Sequence, residues 1–125
     1  MLAKLCIAPL DQRRSEIERV LLEIGVQKPH PDLLFIPAGE KLGVEQAKII
    51  KEHFNYKPIQ AAGKAVVVES AENMTIEAQN ALLKTIEELP ENAQLILGAV
   101  SENSFLPTVL SRCQIITLKN PGIST

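Results

Sequence analysis

The stretch Ala65 to Met74, AVVVESAENM, decides how this 125-residue sequence is read. Its short β-branched apolar run stops abruptly at Glu69 and small polar residues. That is the pattern of a parallel strand buried on both faces and delivering side chains at its C-terminal end. Open α/β sheets place their ligands along that edge. The residues that follow, TIEAQNALLKTIEELP (Thr75 to Pro90), set Leu82, Ile86 and Leu89 at i, i+4 and i+7. This period predicts an amphipathic helix of about four turns. Thr75 is placed to cap its start, Glu77 lies in its first turn, and Pro90 ends it.

The flanking segments repeat the alternation. LAKLCIA (Leu2 to Ala8) predicts a strand, PLDQRRS a turn and EIERVLLEIG a helix, with Ile17, Val20, Leu21 and Ile24 on one stripe and Gly25 just past its end. A proline-punctuated loop, QKPHPD, leads to a second strand at Leu33 to Ile36. GVEQAKIIKEHF then predicts a helix with Val44, Ala47, Ile50 and Phe54 along one side. Beyond the central strand, Ala65 to Glu69, and its helix come a fourth strand (Gln94 to Val100), a short helix within SENSFLPTVLSRC, and a fifth strand (Gln114 to Leu118). Strands alternating with helices across short joins predict a parallel sheet covered on both faces.

Composition sets the outer bounds. With 46% hydrophobic and 22% charged residues, the chain is ordinary for one globular domain with a single core. Cys6 and Cys113 lack the spacing of a zinc site or a disulfide framework, so no metal is expected and a reducing compartment is the simplest setting. A formal charge of -2 supplies no global basic field for nucleic acid. Three Phe, one Tyr and no Trp leave little for stacking on bases. No apolar run approaches the roughly 18 residues of a membrane span. Lys4, Asp11, Arg13, Arg14, Glu16, Glu18 and Arg19 do not fit a signal-peptide core. A cytoplasmic protein without membrane association is expected. His30 and His53 have no ligand-spaced neighbours and are read as chemically silent.

The join from Ala8 to Ser15 is where a nucleotide-binding α/β protein carries its phosphate loop. Such a loop needs glycine, because backbone N–H groups must converge on the phosphates in conformations that a β-carbon obstructs. The sequence has no glycine before Gly25. Arg13 and Arg14 are then either solvated charges at a helix start or a residual anion contact.

KPHPDLLFIP, LGVEQAKIIKE and the run from Lys64 to Leu118, with NALLKTIEE (Asn80 to Glu88) and LSRC (Leu110 to Cys113) as its most specific parts, resemble the first domain of bacterial DNA polymerase III clamp-loader subunits. These form the delta-prime and gamma/tau group of the AAA+ superfamily. The likeness runs from about Pro29 to Leu118, with weaker support back to Leu5, and is greatest to the delta-prime type. It implies a three-layer α/β fold on a five-stranded parallel sheet of the P-loop NTPase type. Residues 1–118 would form the core domain and 119–125 a linker or tail. The family's lid and collar domains are absent from the sequence, which is then a piece of a longer subunit or a reduced relative.

In that family the third strand ends in an Asp-Glu pair serving magnesium and the attacking water. Here the matching positions are Glu69 and Ser70, and a serine cannot act as the polarising carboxylate. The phosphate loop would fall on Ala8 to Ser15, with Pro9 kept, Arg14 and Ser15 in place of lysine and hydroxyl, and every glycine gone. The resemblance therefore implies a degenerate ATP site, no cofactor, and no catalysis by the chain itself. By contrast, Ser111, Arg112 and Cys113 match the family's arginine finger, which reaches the ATP of a neighbouring subunit. Cys113 is read as a buried spacer. Asn80 and Lys84 are either a solvated helix face, paired at i, i+4 with each other and with Glu88, or a contact with DNA or a neighbouring subunit. Two departures stand out: Leu89 where proline is usual, and no cysteine-rich zinc module between the first helix and the HPD stretch. The implied partners are gamma/tau-like ATPase subunits, and indirectly the sliding clamp and primer-template DNA. A free-standing interaction module, or an ATPase with an unusual loop, are the competing readings. A small-molecule enzyme would need a nucleophile and base that no strand end supplies.

Overall fold

The computed structural model describes residues 3–118, so the expected linker or tail at 119–125 lies outside the described residues. In chain order the elements are β1 (Ala3–Ile7), α1 (Leu10–Ile24), β2 (Leu33–Ile36), α2 (Val44–Asn55), β3 (Ala65–Val68), α3 (Ile76–Glu87), β4 (Gln94–Ala99), α4 (Pro107–Leu110) and β5 (Cys113–Thr117). Single 3₁₀ turns at Ala71–Asn73 and Glu102–Ser104 follow β3 and β4. All five strands are parallel, in the order β2-β3-β4-β1-β5.

The all-apolar run of β3 has a direct packing cause, since every one of its residues is buried. Ala65 and Val67 face α1, where they pack with Ile17, Val20, Leu21 and Ile96. Val66 and Val68 face the other way and join Ile50, Phe54, Leu82 and Ile86 of α2 and α3. The sheet is thus sandwiched between α1 on one face and α2 and α3 on the other, the three-layer α/β arrangement. Thr75 Oγ1 accepts from the Ala78 N–H at 3.1 Å and caps α3. Gly25, at φ 76°, closes α1 in the left-handed conformation that a β-carbon disfavours.

Two expectations are corrected. The turn expected over PLDQRRS is helical from Leu10, with Pro9 at the N-cap. The apolar stripe of α1 extends one turn backward through Arg13, which is buried along with Ile17, Val20 and Leu21. A charge on that stripe hid the turn from an apolar period. Val44, expected on the buried side of α2, is 53% exposed, because it opens the helix beyond the sheet while Ala47, Ile50 and Phe54 face inward.

At the N-terminal edge of β2 and β3 a buried carboxylate ties loops to the sheet. Asp32 is fully buried and accepts from the N–H groups of Ile59, Gln60 and Ala61 at 2.6, 2.7 and 2.7 Å. Lys64 Nζ stands 3.8 Å away, and the Asp32 carbonyl takes the Ala65 N–H at 2.9 Å and lies 3.0 Å from His53 Nε2. Burial pushes the Asp32 carboxyl up, but the three N–H donors and Lys64 outweigh it and hold it well below the usual carboxylate range. Burial, with Lys64 nearby, holds the His53 imidazole below its ordinary 6.5. His53 is therefore neutral in the fold at pH values where the unfolded chain would protonate it. Stability is expected to fall as pH drops through about 6.5, and His53→Gln to flatten that limb of a melting-temperature profile. Asp32→Ala, which strands Lys64 and three loop N–H groups, should lower the melting temperature by more than about 10 °C.

Candidate functional site

The residues that follow the C-terminal ends of β1, β3 and β4 meet around one side chain. Arg13, at the end of the first turn of α1, is 2% exposed. Its Nη1 donates to the Glu69 carbonyl at 2.6 Å and to Ser70 Oγ at 3.2 Å, and stands 3.7 Å from Glu72 Oε2. Among the described residues, Arg13 Nε and Glu72 Oε2 have no hydrogen-bond partner. Gly98 of β4 permits this closure, since a β-carbon there would lie 2.5 Å from the Glu69 carbonyl oxygen and 3.2 Å from Arg13 Cδ.

Arg14 projects the other way and closes over the outside. Its Nε and Nη2 fork onto Glu69 Oε2 and Oε1 at 2.9 and 3.0 Å, and Oε1 also accepts the Ala38 N–H at 2.9 Å. The hydrogen bond from Arg14 is the main reason the Glu69 carboxyl lies below its ordinary value. Glu69 is thus committed to a bidentate arginine and a loop N–H. Ser15, exposed on α1, turns its hydroxyl back to the Asp11 carbonyl at 3.3 Å, and Pro9 is exposed at the N-cap.

The join between β1 and α1 is not a glycine-rich phosphate loop. Only Ala8 and Pro9 separate β1 from α1, Pro9 offers no N–H, and the Ala8 N–H is spent on the Ala99 carbonyl at 3.0 Å. A phosphate cradle needs several convergent N–H groups, and a buried guanidinium occupies the space beside the strand ends. Among the described residues no group of three His, Cys, Asp or Glu side chains is placed to hold a metal ion.

The serine-arginine-cysteine stretch lies at the opposite edge of the sheet, because Cys113 opens β5 and pairs with Ala3 at the start of β1. Arg112 is 38% exposed in its side chain and Ser111 is exposed. Cys113 is buried, and burial pushes its thiol up to about 11, so it is a packed apolar group rather than a nucleophile. Arg112 is carried by α4, which Gln79 of α3 holds in place. The Gln79 side chain donates to the Ser104 carbonyl at 3.0 Å and accepts from the Leu106 N–H at 2.7 Å. Asn80 and Lys84 are exposed on α3; of the two glutamates beyond them, Glu87 pairs with Arg112 across 3.1 Å.

The structure therefore brings Arg14, Glu69 and Ser70 together, leaves Pro9 and Ser15 at the rim, and sets Ser111 and Arg112 apart at the far edge. Sequence reasoning missed Arg13 as the central residue. The available signal was a cation four residues before Ile17 on a helical stripe. Glu72 and Glu87 carried no local signal.

Comparison with known proteins gives one family and consistent relatives. Residues 20–122 match the family model described as DNA polymerase III, delta subunit. DNA polymerase III subunit delta' of Haemophilus influenzae is 40% identical over 95 residues, covering 74% of this chain and 29% of that protein. Subunit tau of Bacillus subtilis is 32% identical over 88 residues, 70% of this chain and 16% of the relative. A crystal structure of a DNA polymerase III gamma subunit-related protein from Thermotoga maritima superposes with a TM-score of 0.80 at 34% identity, over 96% of this chain and 42% of that one. The chain spans less than a third of these two curated relatives.

Arg13→Ala should destabilise the fold by about 3 kcal/mol or more, since it strips a buried pair of one partner, as read by urea unfolding. Arg14→Ala should lower stability at neutral pH, since it leaves the buried Glu69 carboxylate with the Ala38 N–H as its remaining donor, and raise the Glu69 carboxyl towards or above its ordinary 4.5, as read by NMR titration.

Proposed function

The chain belongs to the DNA polymerase III delta-subunit family of clamp-loader proteins, and on that premise we propose that it acts as a delta-prime-like subunit that hydrolyses no ATP itself. Its partners are gamma/tau-like ATPase subunits, and it offers Arg112 to the nucleotide of the adjacent one. Through them it serves the loading of a sliding clamp onto primer-template DNA in the cytoplasm. Among the described residues, no helix is long and apolar enough to cross a membrane.

The observation that carries this reading is the buried Arg13 guanidinium, hydrogen-bonded to Glu69 and Ser70 where a nucleotide site would need open backbone N–H groups. Ser70 supports it from a second side, because the position that would hold a general-base carboxylate carries a hydroxyl already engaged by Arg13. For the finger, support comes from placement. A half-exposed guanidinium at a sheet edge can pair as a fork with the terminal phosphate of a bound nucleotide on another subunit, where charge develops during hydrolysis. Asn80 and Lys84, exposed on the same helix that mounts the finger segment, are the residues proposed to face a subunit or DNA.

Two measurements test this function. A fluorescent ATP analogue with magnesium should show no binding in the micromolar range; micromolar affinity would overturn the silent-site reading. Added to gamma/tau-type ATPase subunits with primed DNA, the wild-type chain should raise ATP turnover, and Arg112→Ala should lose at least about tenfold of that stimulation. Equal behaviour of the two proteins would favour a plain interaction module.

A further inference from the structure

We infer that Glu87 is the positioning residue for Arg112, docking the Nε–Nη2 edge of the guanidinium on the last turn of α3 and so fixing the direction in which the side chain meets a neighbouring subunit. The inference rests on the reading of Arg112 as a finger.

The donors of Arg112 are divided between two helices. Nε donates to Glu87 Oε2 at 3.2 Å, and Nη2 stands 3.1 Å from the same oxygen. Nη1 donates to the Thr108 carbonyl at 3.0 Å and to Ser111 Oγ at 3.3 Å. Glu87 thus grips the inner edge from α3 while the end of α4 grips the opposite nitrogen. Nη2 is thus part of the edge that Glu87 holds. An arginine on an open surface samples many rotamers, and each must be given up when it binds. A side chain already held from two sides gives up less, and its fork arrives in one orientation.

Glu87 also partly neutralises the cation it holds, so the sign of its effect depends on which influence is larger. The two side chains are 38% and 49% exposed. Pairs this open to water are weak, and a terminal phosphate carries more charge than one carboxylate, so Glu87 does not trap the guanidinium against it. Orientation therefore outweighs competition. Glu87 carried no local signal in the sequence. Its relation to Arg112 spans 25 residues and crosses β4, a 3₁₀ turn and α4.

The test has two arms. In the NMR spectrum of the chain, the Arg112 Nε–H signal should be dispersed and slow to exchange. Glu87→Ala should collapse it to the free-arginine position, and Glu87→Gln, which keeps an acceptor oxygen, should restore it in part. In the ATPase mixture with gamma/tau-type subunits and primed DNA, Glu87→Ala should lower maximal stimulation about three- to fivefold, the size expected of a half-exposed pair. The concentration for half-maximal stimulation and the melting temperature should stay unchanged. In an Arg112→Ala background, Glu87→Ala should have no further effect. Stimulation that rises or stays at the wild-type level in Glu87→Ala, or an Nε–H signal indifferent to residue 87, overturns the inference. If Arg112→Ala itself leaves stimulation intact, the finger reading fails, and the Nε–H signal alone decides whether Glu87 mounts Arg112.

Discussion

A cation sealed at the C-terminal edge of a parallel sheet has to be answered by every element around it, and Arg13 imposes that demand here. A guanidinium out of water is costly unless its charge is paired and its donors are used. The chain after β3 supplies the Glu69 carbonyl and the Ser70 hydroxyl, and the following 3₁₀ turn brings Glu72 to 3.7 Å. Gly98 lets this segment close against β4. For Arg13 to reach inward, α1 must begin almost at the end of β1, and the two-residue join at Ala8 and Pro9 follows. The short join and the burial of Arg13 are one structural feature, because the arginine fills the space beside the strand ends.

The two edges of the sheet treat cations in opposite ways, and solvent decides the difference. At the C-terminal edge Arg13 is buried, and Arg14 is forked onto a Glu69 carboxylate whose side chain is 5% exposed. A pair with a buried member is expensive to break, since the partner left behind remains desolvated. At the N-terminal edge Arg112 and Glu87 are both open to water, and such a pair exchanges readily. Asp32 stiffens the same edge by binding the loop at 59–61 to the start of β2. The molecule therefore uses its cations internally at the C-terminal edge. On the other side Arg112 stays half-exposed.

The order of strands and helices was legible from residue periods alone. The β-branched run of β3 and the i, i+4, i+7 spacing of α3 each reflect one element meeting one core, and such patterns survive in a linear reading. The missing glycines before Gly25 and the serine at position 70 were equally legible, because each is a property of a residue type at a position. Two readings failed for one reason. Arg13 lies on an apolar stripe and Val44 lies off one, and which side of a helix faces the sheet at its first turn depends on where the helix docks.

What the sequence by itself determined is an alternating α/β chain with no glycine between β1 and α1 and a serine-arginine-cysteine stretch at the start of β5. Only the tertiary structure decided which carboxylate answers which cation. Arg13 and Arg14 meet partners 55 to 59 residues away, and Arg112 meets Glu87 across 25. Such pairings are fixed by sheet order and helix docking, which bring distant residues together. No local period encodes them.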